Sequence, residues 1–236
     1  MSNWKSELNR LSQRKDSTLP DVFFGEVPSN TFNWLNSTIL KLREKKIDAR
    51  PTLYGHINEE FSIYHHDIPN SVVQTDSDGY TMYENFIQRT AFDKVFSNFW
   101  RRTSFLSRDC QLKIQTTWVN FQKKYEFNPP HAHTGILSWI IFMSIPYDLK
   151  EEDKVYPLLN DKEETPSTSR LSFLRQSPTI LGGIDHIILN VDKSFEGKII
   201  MFPSYLQHEV FPFYTSDDYR ITVSGNAVFD VDRPTS

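Results

Sequence analysis

Residues 128–145 read NPPHAHTGILSWIIFMSI, and the two halves of this stretch carry different information. In an extended segment, side chains two apart point to the same side, so His131 and His133 can converge on one point. Imidazole is a frequent ligand for iron, zinc, copper and nickel and needs no thiolate beside it. By itself an HxH pair is weak evidence. The second half, from Ile136 to Pro146, is apolar except for Ser138 and Ser144 and reads as a buried strand.

Working outward, the same β texture extends in both directions. Leu112, Ile114, Thr116, Trp118 and Asn120 alternate with Lys113, Gln115 and Thr117. Further strands are expected over 170–174, 186–191, 198–202 and 219–229. Many short strands separated by turns and long loops predict an antiparallel sandwich or barrel. Upstream of about residue 106 the texture changes. Phe32, Leu35, Ile39 and Leu42 recur at helical spacing after Ser29 and Asn30, either of which could cap the start. Phe92, Phe96, Phe99 and Trp100 make a second stripe on a helix expected from about Met82 to Arg102. Residues 50–80, with Pro51, Gly55, Pro69 and Gly79, read as loops and short strands. The expected organisation is one domain over 1–236. A helical and loop support region spans 1–110, and a β core spans 111–230 with an insertion at 148–169 rich in Lys and Glu. That insertion reads as a solvated surface loop or a cover over a ligand.

Composition narrows the chemistry. The chain has 236 residues, 38% hydrophobic and 14% aromatic, enough apolar area for a substantial core. A net charge of −4, from 26 basic and 30 acidic residues, offers no broad attraction for nucleic acid or an anionic membrane. Cys110 is the only cysteine, which excludes an internal disulfide and any multi-cysteine zinc or iron–sulfur site. A metal site would have to come from His, Asp and Glu. The start of the chain lacks a signal-peptide pattern, and no stretch reaches the roughly 20 apolar residues of a spanning helix. A soluble, intracellular protein is the expectation.

A third histidine joins the pair. FPSYLQH (202–208) ends an apolar strand with a turn and presents His208. Twelve residues later comes Arg220, on one face of a strand with Thr222, Ser224 and Asn226. If that face is the interior, Arg220 needs an anionic partner, because an unpaired buried guanidinium is very costly. No acidic residue lies nearby on that face, so a bound carboxylate is a natural partner. If the face is solvated, Arg220 is an ordinary surface charge. Periodicity leaves both open. His65-His66-Asp67, His56, His186, Lys123-Lys124 and Arg101-Arg102 read as structural or solvated.

The ordered set resembles the iron(II)- and 2-oxoglutarate-dependent oxygenases with a double-stranded β-helix (jelly-roll, cupin-like) core. Within them it is most similar to the phage and cyanophage type, relatives of the prolyl hydroxylases. The residues that carry the likeness are Trp118-Val-Asn120, NPPHAH (128–133), Leu137-Ser138, Ile145-Pro146, GKIIMFPS (197–204) with His208, and Arg220-Ile-Thr222 with Asn226. They span about 111–229, and GHINEE (55–60) adds a fainter echo. The resemblance implies a mainly β fold with flanking N-terminal helices. It implies iron(II) on His131, His133 and His208, and 2-oxoglutarate held by Arg220 with a hydroxyl from Thr222. With dioxygen as co-substrate, the keto acid would be decarboxylated to succinate and carbon dioxide while an unactivated C–H bond is hydroxylated. His133 stands where the wider superfamily has Asp or Glu. Phe142 stands where prolyl hydroxylases place a co-substrate Tyr, so Asn120, Ser138 or Ser224 is expected to substitute. A peptide or protein substrate is favoured over a small molecule, and a phage origin would place the protein in the host cytoplasm. Two rivals stand beside this reading: a three-His cupin-type metalloenzyme that does not use 2-oxoglutarate, and a jelly-roll binding module without catalysis.

Overall fold

The computed structural model describes residues 4–13, 22–45, 47–53, 55–65, 76–96, 111–155, 168–176 and 182–230. The strands are β1 (Phe23–Glu26), β2 (Glu59–His65), β3 (Gln111–Gln122), β4 (Asn128–His131), β5 (Leu137–Ser144), β6 (Leu171–Gln176), β7 (Ile184–Leu189), β8 (Lys198–Pro203), β9 (His208–Val210) and β10 (Arg220–Asp230). They form two antiparallel sheets, β1-β8-β5-β10-β3-β2 and β4-β9-β6-β7. Among the described residues the α-helices are α1 (Trp4–Gln13), α2 (Ser29–Lys45), α3 (Ser77–Thr90) and α4 (Leu149–Val155). A mainly β, jelly-roll arrangement with N-terminal helices is thus what the chain adopts.

The larger sheet is covered on both faces, and this explains the apolar run over β5. Trp139, Ile141 and Met143 face a cluster built by Leu35, Ile39 and Leu42 of α2 and Tyr83 and Ile87 of α3. Ile140 and Phe142 face the other way, joining Phe173, Leu189, Phe202 and Phe213 between the two sheets. A strand buried on both faces has no polar alternation to display. Gly225 of β10 sits opposite Trp139, whose indole occupies the space a Cβ would need.

The helical expectations are partly met. α2 starts at Ser29, and the Asn30 side chain accepts from the Thr31 amide. α3 begins at Ser77, earlier than the stripe predicted, capped by Asp76, whose carboxylate accepts from the Gly79 amide. The same carboxylate accepts from the Trp34 indole at 2.8 Å. That indole lies where a Cβ on Gly79 would stand, so Gly79 inside a helix marks a close α2–α3 contact rather than a turn. A π-helical turn, Ala91–Phe96, follows α3. The rest of the expected helix (97–102), Cys110, Arg101, Arg102, His66 and Asp67 lie outside the described residues.

The insertion at 148–169 is not uniformly solvated. It opens with α4, whose buried Glu152 accepts from the Tyr214 and Thr215 amides and the Thr215 hydroxyl. At its far end Ser169 is buried and its carbonyl reaches Arg220. Residues 156–167 lie outside the described residues. Among the described residues, no helix is long and apolar enough to cross a membrane.

Candidate metal centre and co-substrate cavity

The smaller sheet brings the histidines together. His131 of β4 and His208 of β9 are register partners, and Phe173 of β6 stands opposite His208 on its other side. His133 lies two residues past β4, its amide bonded to the Ser204 carbonyl. Ring centroids are 4.3 Å apart for His131–His208, 4.9 Å for His131–His133 and 5.1 Å for His133–His208. One ligand atom from each lies within 4.8 Å of the others.

Two rings are oriented by their own strands. His131 Nδ1 lies 2.7 Å from the Pro129 carbonyl and His208 Nδ1 lies 3.2 Å from the Leu206 carbonyl. A carbonyl only accepts, so Nδ1 carries the proton and the Nε2 lone pair is left for a metal, the usual support for a ligating imidazole. Burial lowers the pKa of all three rings, that of His133 to about 3, and the neighbouring imidazoles add to the effect at His133 and His208. They are neutral at physiological pH, which is the metal-binding form. Three neutral nitrogens at this spacing fit a divalent first-row metal such as iron(II), with positions left open for further ligands.

The histidines line a cavity between the sheets with about 790 Å³ of non-atom space, part of it continuous with solvent. Trp118, Asn120 and Gln122 of β3, Arg220, Thr222 and Ser224 of β10 and Ile140 and Phe142 of β5 contribute to its wall. Alternation on β10 therefore turns Arg220 inward, where it is 4% exposed. Asn120 donates to the Thr222 hydroxyl at 3.2 Å. Ser138 is elsewhere. Its hydroxyl is bonded to Ser204 and to Asn226 in a buried knot outside the cavity wall, so the expected contact with a co-substrate is not available to it.

Arg220 has no carboxylate partner among the described residues, yet all five of its donors are used. Nε and Nη2 both reach Gln122 Oε1, at 3.0 and 2.7 Å, and Nη2 also reaches the Phe211 carbonyl at 2.8 Å. Nη1 donates to the Tyr147 hydroxyl at 3.0 Å and to the Ser169 carbonyl at 2.8 Å. Tyr147 in turn donates to Ser169; burial raises its phenol pKa against the pull of Arg220, so the donor proton stays in place. The hydrogen bonds are satisfied and the charge is not neutralised. An anion entering the cavity would meet that charge across the edge held by Gln122.

Three cavity or clamp residues escaped the sequence reading. Gln122 was within reach of it, because alternation continues two residues past Asn120. Tyr147 follows Pro146, where strand periodicity has ended. Glu60 lines the cavity from β2, and its only signal was membership in GHINEE. Two of the remaining histidines have structural partners. His56 stacks on Phe127 at 4.6 Å, and His186 lies 3.1 Å from Glu209.

Residues 116–226 match the family model described as "Putative 2OG-Fe(II) oxygenase". Over this span, just under half of the chain, the protein is similar to the 2OG-Fe(II) oxygenases. The matched span holds the three histidines, Asn120, Gln122 and Arg220 to Ser224, and the family implies iron(II), 2-oxoglutarate and dioxygen. Among solved structures, a Pseudomonas putida prolyl-4-hydroxylase aligns at TM-score 0.50 and 12% identity, covering 95% of this chain and 97% of its own. A Trichoplax adhaerens prolyl hydroxylase aligns at 0.46 and 12%, covering 96% and 94%. A viral collagen prolyl hydroxylase from Paramecium Bursaria Chlorella virus-1 aligns at 0.45 and 10%, covering 87% and 94%. At such identities the first of these shows shared fold alone. No curated protein matches the chain.

Proposed function

We propose that the oxygenase holds iron(II) on His131, His133 and His208, binds 2-oxoglutarate towards Arg220 and Thr222, and hydroxylates an unactivated C–H bond in a peptide or protein. The observation that carries this reading is the cluster of three neutral imidazoles opening into the same cavity as an un-neutralised buried arginine. When bound, iron(II) with 2-oxoglutarate and dioxygen supplies the oxidative decarboxylation to succinate and carbon dioxide and the oxygen atom for the C–H bond. The chain's own residues do the rest. Pro129 and Leu206 carbonyls hold two imidazoles in the ligating tautomer. Arg220 offers positive charge to a distal carboxylate, with Thr222 beside it on the same face. Ile140, Phe142, Leu171, Val191 and Val210 are apolar lining that keeps water from the reacting carbon.

The test is anaerobic titration with iron(II) and then 2-oxoglutarate, following the visible charge-transfer band. The reading expects the band in the wild type, its loss in His208→Ala, and a weaker response to 2-oxoglutarate in Arg220→Ala. No band in the wild type overturns it. One observation favours a second reading: every Arg220 donor already has a neutral acceptor. A three-His metalloenzyme that ignores 2-oxoglutarate would leave Arg220 as a structural pin. Iron binding without any response to 2-oxoglutarate is the result that selects it.

A further inference from the structure

The end of the cavity formed by β2 carries a feature the oxygenase reading does not use. Glu60 is 3% exposed, lines the cavity, and stands opposite Asn120 in the β2–β3 register. Its carboxyl group takes no hydrogen bond or ion pair among the described residues. Two amide oxygens of residues lining the same cavity, Asn120 Oδ1 from β3 and Asn128 Oδ1 from β4 of the other sheet, are shut off from solvent without a partner. Buried acceptors without donors are costly, and two of them beside the buried Glu60 carboxyl call for a ligand that brings N–H groups.

Charged groups of both signs lie around Glu60. Two carboxylates, Asp48 and Glu126, and one cation, Arg50, act on Glu60. Arg50, the one cation of the set, is exposed and held on Asp48 by Nε and Nη2 at 2.9 and 2.7 Å. Glu60 brings a carboxyl to the β2 side of the cavity and Arg220 a guanidinium to the β10 side, with β3 between them. Leu53 and Ile57, from the segment leading into β2, add apolar lining on which a methylene stem can lie.

We propose that Glu60, with Asn120 and Asn128, is the recognition site for the substrate and takes a cationic nitrogen group, an ammonium or guanidinium on an alkyl stem. The two poles of the cavity then sort the two ligands: the dicarboxylate goes to Arg220 and the cationic substrate to Glu60. Burial pushes the Glu60 carboxyl up to about 7, the state of a carboxyl lacking a counter-ion, and a bound cation would draw it down again. This proposal rests on the oxygenase reading for the word substrate.

The experiment is isothermal titration of the iron(II)- and 2-oxoglutarate-loaded protein, without oxygen, with butylguanidinium and its neutral isostere butylurea. The charge-transfer band is recorded in the same samples. The expected result is a preference for butylguanidinium of about tenfold or more, abolished in Glu60→Gln and weakened but retained in Glu60→Asp. The retained Asp preference separates loss of charge from loss of fold. Equal binding of the two probes, no binding of butylguanidinium, or a preference that survives Glu60→Gln overturns the proposal. If the band is present in any of those cases, the cation site alone has failed; if the band is absent, the oxygenase reading has failed.

Discussion

Glu60 and Gln122 both face the cavity, and their environments predict opposite behaviour on substitution. A carboxyl that titrates near 7 in the folded protein and near 4.5 when unfolded holds its proton more tightly when folded. The stability this contributes is complete below about pH 4.5 and is lost as pH rises through 7. Glu60→Gln should therefore stabilise the protein above neutrality, by up to about 3 kcal/mol, with little effect at pH 4. Urea unfolding at pH 4 and 8 measures this, and an equal effect at both would contradict it. Gln122 accepts twice from Arg220 and donates to the Glu126 carbonyl at 2.5 Å. Gln122→Ala strips the charge of two hydrogen bonds and should destabilise by about 2 kcal/mol. The histidines were legible because strand periodicity places i and i+2 together. Glu60 was not, because its partner Asn120 is sixty residues away and only strand pairing joins them.

At the scale of elements, α2 and α3 show where local signals mislead. Gly79 reads as a turn, and by propensity alone Gly79→Ala should strengthen α3 by about 1 kcal/mol. The structure reverses that sign, because the Trp34 indole fills the Cβ position and is fixed there by Asp76. Gly79→Ala should cost about 1–3 kcal/mol, read as a lower urea midpoint; an unchanged or higher midpoint would count against the close contact. The strands of the core were legible for a different reason. Turn residues and period-two alternation bound most of them, and β5 and β8 declare themselves by apolar runs that only a doubly covered sheet can bury. Ser138 shows the limit: its strand was predicted, but its hydroxyl turns to Ser204 and Asn226.

For the molecule as a whole, the insertion at 148–169 ties the surface to the site. Glu152 at its start fixes Tyr214 and Thr215, and Ser169 at its end accepts from Arg220. Charge density made it read as solvent-facing, and the buried minority within it carries no periodic signal. Glu152→Ala removes the acceptor of two part-buried amides and the Thr215 hydroxyl, and about 3 kcal/mol of stability should go with it. Thermal unfolding checks this, and a loss below 1 kcal/mol would show that the anchor is dispensable. Iron(II) and 2-oxoglutarate bind only the folded chain in this account, so together they should raise the melting temperature and a chelator should reverse the gain.

The central claim is that the three-histidine cluster supports turnover of 2-oxoglutarate. Its most direct test is succinate formation from 2-oxoglutarate in air, with and without iron(II), in the wild type and in His208→Ala. The account predicts iron-dependent succinate from the wild type and at least about a hundredfold less from the variant, since losing a ligand should cost no less than the roughly 10–100-fold lost with a ligand's outer support. Succinate formed equally well by His208→Ala, or none from the iron-loaded wild type with or without butylguanidinium-bearing peptides, would contradict it.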